Sequence, residues 1–293
     1  MAFRAGSHGR GSQPRAGCGV RLLPLVRAAL VGYLLTVLGA MIFEETLIFP
    51  APRYPEGNWH PRGSALEEAE FTAADGTRLH GWYFPRDGAE GQLLYFHGNA
   101  DFVPNLAPLA SLLRRRCRVG VLIFDYRGYG RSEGRPHEKG ILLDARAAHQ
   151  WLCQRTGVAE DRVILMGRSL GGAVAVDLAA EKGARGLVLE NTFTSLPDVA
   201  HYHFPWLPTR LCMRTRLNAR AKIVQYRGPL LQSHGTADEV VPYPMGRALY
   251  EAAPGDKQFL TFEGLEHNDP HPAAYYETLR QFVLDTARSG EDG

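Results

Sequence analysis

From about Ala69 onward the chain alternates short apolar runs, rich in branched residues, with longer windows of helical spacing. Few folds accept that order. The runs "GQLLYFHG", "CRVGVLIFDYRG", "DRVILMG", "RGLVLEN", "GPLLQSHG" and "KQFLTFEG" each end near Gly, His, Asp or Glu, and helical windows fall at 105–116, 139–154, 171–182, 244–252 and 272–287. Strands separated by helices imply an α/β fold, with a mainly parallel central sheet covered by helices on both faces. Ahead of them "ALEEAEFTAADGTRLHGWYFP" alternates in period two around Asp75-Gly76, which predicts an antiparallel hairpin. In sheets of this kind the chemistry gathers beyond the carboxyl ends of the strands.

One such end reads "VILMGRSLGGAVAVDLAA", residues 163–180. An apolar run stops in a glycine cluster around Ser169, and an alanine-rich helical window starts at once. Gly167, Ser169 and Gly171 fill the Gly-x-Ser-x-Gly pattern, in which the glycines permit a tight strand-to-helix turn that lifts the serine hydroxyl clear of the sheet. The same turn puts the Leu170 amide at a helix N-terminus, where it can donate to an oxyanion.

A serine hydroxyl is a weak nucleophile and needs a histidine base oriented by a carboxylate. In this kind of fold the chain order is serine, acid, histidine, and the order is met by Asp238 in "HGTADEVVP" and His267 in "EGLEHND". Both follow late apolar runs. Glu190 and Glu239 are rival acids, and a helix-capping Asp238 or a surface His267 is the bland alternative. The second oxyanion donor is expected on the loop after an earlier strand, in "LLYFHGNAD". The Asn99 amide is the first choice and Ala100 the next, while His97 reads as a brace for the loop. Asp125, Arg127 and Arg131 in "FDYRGYGRSEG" read as salt bridges that fix a turn rather than as substrate contacts.

The 33 basic and 31 acidic residues nearly balance, so no nucleic-acid partner is implied. The imbalance is local: Arg4, Arg10, Arg15, Arg21 and Arg27 all precede Glu44, the first acidic residue. Between Arg27 and Glu44 lie sixteen uncharged residues, "AALVGYLLTVLGAMIF". With the apolar residues before it, the segment 20–43 is expected to be a single-pass signal-anchor, preceded by a disordered opening at 1–19 and followed by a linker at 44–68. The charge bias would put the domain at 69–290 on the non-cytoplasmic side. A cleaved signal, a transit segment and a buried core helix are the alternatives. Four scattered cysteines make no framework; Cys18 reads as a spectator thiol, with juxtamembrane acylation the alternative, and Cys117, Cys153 and Cys212 read as free thiols. No zinc, P-loop or dinucleotide signature occurs, so no metal and no cofactor is called for.

Taken together, "YFHGNA", "FDYRGYGRSEG", "GRSLGGAVA", "LENTFTS" and "HGTADEVVP" resemble the α/β-hydrolase-domain serine hydrolases. The similarity is to the N-terminally membrane-anchored branch that includes lysophospholipases, monoacylglycerol lipases and depalmitoylases. It runs from about Ala69 to about Ala287. It implies an α/β-hydrolase fold, Ser169 as nucleophile, Asp238 as acid, His267 as base, and Asn99 with Leu170 as oxyanion hole. Many relatives carry a glycine where this chain has Asp101, which puts a carboxylate near the site. The implied activity is cleavage of carboxylic esters or thioesters through an acyl-enzyme, on lipid-derived substrates near a membrane. A peptidase or amidase of the same fold, or a silent acyl-binding scaffold, are the other readings, and the oligomeric state stays open.

Residues 191–223 are too long for an ordinary connection and should form a small cap. Their aromatics in "HYHFPWLP" and the arginines after them would pack on the domain, cover an acyl pocket or face an anionic bilayer.

Overall fold

The computed structural model describes residues 22–61 and 66–288. Cys18 and the basic opening at 1–19 lie outside the described residues. The contacts divide the chain into two units, one ending at Ala40 and the other starting at Met41. The described part of the first unit belongs to α1 (Leu22–Ile42), a helix long and apolar enough to cross a membrane, with no residue buried against protein.

The second unit is built on an eight-stranded sheet in the order β1-β2-β4-β3-β5-β6-β7-β8. Its strands are β1 (Glu67–Thr72), β2 (Arg78–Phe84), β3 (Gln92–Phe96), β4 (Gly120–Phe124), β5 (Ile164–Arg168), β6 (Gly186–Glu190), β7 (Leu230–Gly235) and β8 (Lys257–Phe262). β1 and β2 form the expected hairpin, β2 runs antiparallel to β4, and every later pairing is parallel. Gly76, at φ 87°, turns the hairpin.

Successive residues of the central strands point to opposite faces, so each strand feeds two cores. Leu94, Phe96, Leu122, Phe124, Leu165 and Leu189 pack on one face with α4 (Glu138–Thr156) and α5 (Leu170–Lys182). Leu93, Tyr95, Val121, Ile123, Ile164 and Met166 pack on the other with α3 (Val103–Arg116) and α10 (Ala273–Arg288). Burial on both faces is why these strands read as continuous apolar runs rather than as alternating ones. The fold is the α/β-hydrolase fold expected from the sequence.

Two segments complete the unit. Between β6 and β7 the chain forms α6 (Leu196–His203), α7 (Thr209–Cys212) and α8 (Ala219–Ile223), and α9 (Tyr243–Ala252) follows β7. The stretch read as a linker is instead packed on the domain. After α2 (Glu44–Ile48), Phe49 joins one core and Trp59 the other, where it meets Trp82 at 5.9 Å and Phe102 at 6.0 Å between ring centres. β1 itself begins inside that stretch, at Glu67.

Candidate active site

Ser169 sits between β5 and α5 at φ 52° and ψ −119°, a conformation that non-glycine residues rarely adopt and that costs on the order of 1–3 kcal/mol. The neighbouring glycines make the turn possible by letting backbones touch. A Cβ on Gly167 would lie 2.3 Å from the Gly171 carbonyl oxygen, and one on Gly171 would lie 2.1 Å from that of Phe96. Three bonds lock the strained residue: the Ser169 amide donates to the Glu190 carbonyl at 2.9 Å, and the Gly172 amide and Thr192 hydroxyl donate to the Ser169 carbonyl at 3.0 Å and 3.4 Å.

Asp238 and His267 follow β7 and β8, at the same edge of the sheet. His267 Nδ1 and Asp238 Oδ2 are 2.7 Å apart, with the carboxylate fully buried. Its other oxygen accepts the amides of Val240 at 3.0 Å and Val241 at 2.7 Å, and His234 Nε2 lies 3.3 Å from Oδ2. Burial opposes ionisation of Asp238, but these donors, His234 and His267 first among them, outweigh it and hold the carboxyl well below the usual carboxylate range. An ionised Asp238 requires the His267 proton on Nδ1. That leaves Nε2 as the ring nitrogen with no protein partner among the described residues.

A pocket of about 390 Å³ opens between residues 98–101, Ser169 and His267, with Arg168, Val240 and Asn268 on its walls. The loop at 98–101 is held from three sides. Asn99 Oδ1 accepts the Tyr129 hydroxyl at 2.7 Å and the Ala100 amide at 3.2 Å, while Nδ2 donates to the Ile48 carbonyl. Asp125 accepts the Val103 amide at 2.8 Å, which fixes the start of α3 just after the loop. The Ala100 amide is therefore occupied, whereas those of Asn99 and Leu170 donate to no other group among the described residues.

His97 is fully buried, with Nδ1 against the Gly98 carbonyl at 2.8 Å and its ring 4.3 Å from that of Tyr126. Burial pushes its pKa down, so it is a neutral brace beneath the loop. Arg127 pairs with Asp144 at 2.8 Å and Asp75 at 2.7 Å, and Arg131 lies 4.5 Å over the Trp59 ring; neither lines the pocket. The rival acids are placed elsewhere. Glu190 accepts the Tyr275 hydroxyl at 2.6 Å and sits 3.6 Å from His271, and Glu239 is on the exposed side of its loop.

Sequence reasoning missed the groups that fix the His267 loop. Asn191 Nδ2 donates to the His267 carbonyl at 2.9 Å and its Oδ1 accepts the Gly235 amide at 3.2 Å, while the Arg168 guanidinium reaches the same His267 carbonyl. Arg168 is the variable residue of the Gly-x-Ser-x-Gly motif, and Asn191 directly follows a strand end; position at the sheet edge was the only available signal.

A family model described as the alpha/beta hydrolase fold matches residues 91–219. An uncharacterized protein of Mycobacterium tuberculosis is 39% identical over 222 residues, covering 74% of this chain and 79% of its own. A Pyrococcus furiosus esterase superposes with a TM-score of 0.66 at 21% identity, over 80% of this chain and 96% of that one. A Paleococcus ferrophilus monoacylglycerol lipase does so with a TM-score of 0.54 at 18% identity, over 71% and 99%. At those identities the two structures speak to fold alone. With the sheet order, the elbow at Ser169 and the shared sequence in agreement, this chain belongs to the α/β-hydrolase family.

Proposed function

We propose that the protein is a serine hydrolase that cleaves carboxylic esters or thioesters of lipid-derived acyl groups beside a membrane. The observation that carries this reading is the 2.7 Å His267–Asp238 contact in the pocket wall that also holds Ser169. In this scheme His267 Nε2 takes the Ser169 proton as Oγ attacks the carbonyl carbon, and Asp238 keeps the imidazole in its tautomer and balances its charge. The amides of Asn99 and Leu170 receive the negative oxygen. His267 then protonates the departing alcohol or thiol, and water, deprotonated by the same nitrogen, releases the acid and restores Ser169.

Ester chemistry is supported by the fold shared with the esterase and the lipase. The membrane is supported by α1, and the basic residues before it with Glu44 and Glu45 after it favour a catalytic domain outside the cytoplasm. Labelling by a fluorophosphonate tests the activated serine. Full-length wild type in membranes should label, and Ser169→Ala and His267→Ala should not, with soluble-ester turnover reduced about 10³-fold or more. A folded wild type that resists the probe would sink the proposal.

A further inference from the structure

The first residues of the domain, from Met41 onward, bond both the cap and the rim of the pocket. Glu44, two residues after α1 ends, is buried and accepts the Arg214 amide at 3.0 Å and the Thr215 amide at 2.6 Å, both from the cap. The Arg214 guanidinium donates to the Met41 carbonyl at 3.0 Å. Four residues after Glu44, the Ile48 carbonyl accepts Asn99 Nδ2, from the loop that forms one wall of the pocket. On the opposite wall, His203 at the end of α6 bonds the Val240 carbonyl at 2.9 Å. The chain that leaves α1 is thus pinned to the cap on one side and to the pocket rim on the other.

The same surface carries apolar side chains that no core covers. On the anchor-proximal turn Phe43 is 61% and Leu47 68% exposed; on the cap Tyr202 is 56%, Phe204 50%, Trp206 56% and Leu211 80% exposed. Leu211 is three residues, at most about 10 Å of chain, from Arg214, whose guanidinium bonds the Met41 carbonyl, so that end of the cap group lies near the anchor-proximal turn. Exposed large apolar residues grouped in this way mark an interaction surface rather than ordinary scatter. In the same cap segment Arg210, Arg214, Arg216 and Arg220 are exposed, Arg210 pairing with Asp198 at 2.9 Å and Arg214 lying 3.6 Å from Glu44, which leaves a basic excess. Aromatic and aliphatic groups flanked by arginines match the boundary between acyl chains and anionic headgroups.

We infer that this ledge inserts into the bilayer interface at the foot of α1 and sets the mouth of the Ser169 pocket against the lipid, so that substrate enters from the membrane rather than from water. The inference rests on the membrane-anchored hydrolase reading above and adds which face meets the lipid. Of the occupants an apolar surface can take, the bilayer is favoured because the chain is covalently continuous with a membrane-length helix at this face and because the flanking charge is basic.

The test uses the full chain in vesicles of phosphatidylcholine and phosphatidylglycerol. Tryptophan emission is compared in ordinary vesicles and in vesicles with brominated acyl chains. Trp59 and Trp82 are buried and Trp151 is half-buried against the core, so only the quenching that disappears in Trp206→Phe reports insertion of the ledge. A second variant carries Tyr202→Ser, Phe204→Ser, Trp206→Ser and Leu211→Ser. Its hydrolysis of a long-chain ester embedded in the vesicles should fall at least tenfold, while fluorophosphonate labelling and hydrolysis of a water-soluble short-chain ester stay within twofold of wild type. Absence of Trp206-dependent quenching in vesicle-bound protein overturns the inference, as does unchanged turnover of the embedded ester. Cross-linking of Trp206-flanking residues to a second copy without such quenching assigns the ledge to a dimer and also overturns it. Failure of wild type to label removes the hydrolase reading but leaves the quenching result standing, whereas failure to sediment with vesicles removes the anchor and overturns the inference with it.

Discussion

Two buried aspartates each face a histidine in this domain, and their carboxyl pKa values are moved in opposite directions. Asp238 takes two backbone amides on one oxygen and faces two imidazoles with the other, and its carboxyl stays ionised well below the usual range. Asp125 is equally inaccessible, but one oxygen has no hydrogen-bond partner, and His80 Nδ1, itself unpartnered, stands 4.0 Å away. Burial then dominates and pushes the Asp125 carboxyl up to about 7. Burial also lowers the pKa of His80, so neither member of that pair readily charges the other. Proximity of a carboxyl to an imidazole is not enough to make an orienting acid; the number of donors converging on the carboxylate decides its charge.

The largest expected effect separates the two aspartates by activity. Asp238→Asn removes the charge that fixes the His267 tautomer and should lower kcat for a soluble ester by about 10³–10⁴-fold with the fold intact. Asp125→Asn keeps an acceptor for the Val103 amide, and with it the start of α3, so kcat should stay within about threefold of wild type, since a neutral acceptor serves that bond as a carboxyl does. Equal damage from both substitutions would break the comparison, because it would make the Asp125 charge part of catalysis.

The next effect is on stability, and its sign follows from the raised pKa. Folded Asp125 holds its proton up to about pH 7, whereas an exposed aspartate loses it near 3.8. Its favourable contribution is complete below about 3.8 and is lost as pH rises through about 7. The loss is on the order of 4 kcal/mol. Asp125→Asn does not titrate, so relative to that variant wild type should weaken between pH 4.5 and pH 8, read as urea midpoints in detergent. Asp238, whose folded pKa is lowered and which does not touch residue 125, tilts the curve the other way in both proteins and cancels in the difference. A pH-independent gap between the two proteins would show that Asp125 is already ionised in the fold.

The contrast also marks what was legible in the sequence. The strands announced themselves because both faces are buried, and Ser169 because only glycine fits where Gly167 and Gly171 meet neighbouring backbone. Asp238 and His267 followed from chain order. What stayed hidden acts across long separations through single polar bonds. Asn191 and Arg168 reach His267 over 76 and 99 residues, and Glu44 reaches Thr215 over 171. No periodicity or spacing encodes such a bond, so residues 44–68 read as a linker although they carry Phe49 and Trp59 into the cores.

The smallest expected effect sharpens the donor argument within the Asp238 site. His234 Nε2 lies 2.8 Å from the Val241 carbonyl and 3.3 Å from Asp238 Oδ2, so its single hydrogen is shared between them. A shared bond of that length to a charged group contributes about 1 kcal/mol. His234→Phe should therefore lower kcat on a soluble ester about fivefold, and His234→Gln, which keeps a donor, should recover most of it. The Val240 and Val241 amides remain on the other oxygen in both variants, which is why the loss is far smaller than that of Asp238→Asn. If His234→Phe left kcat unchanged, those two amides and His267 would suffice to hold the charge, and the difference between the two aspartates would rest on backbone donors rather than on the second imidazole.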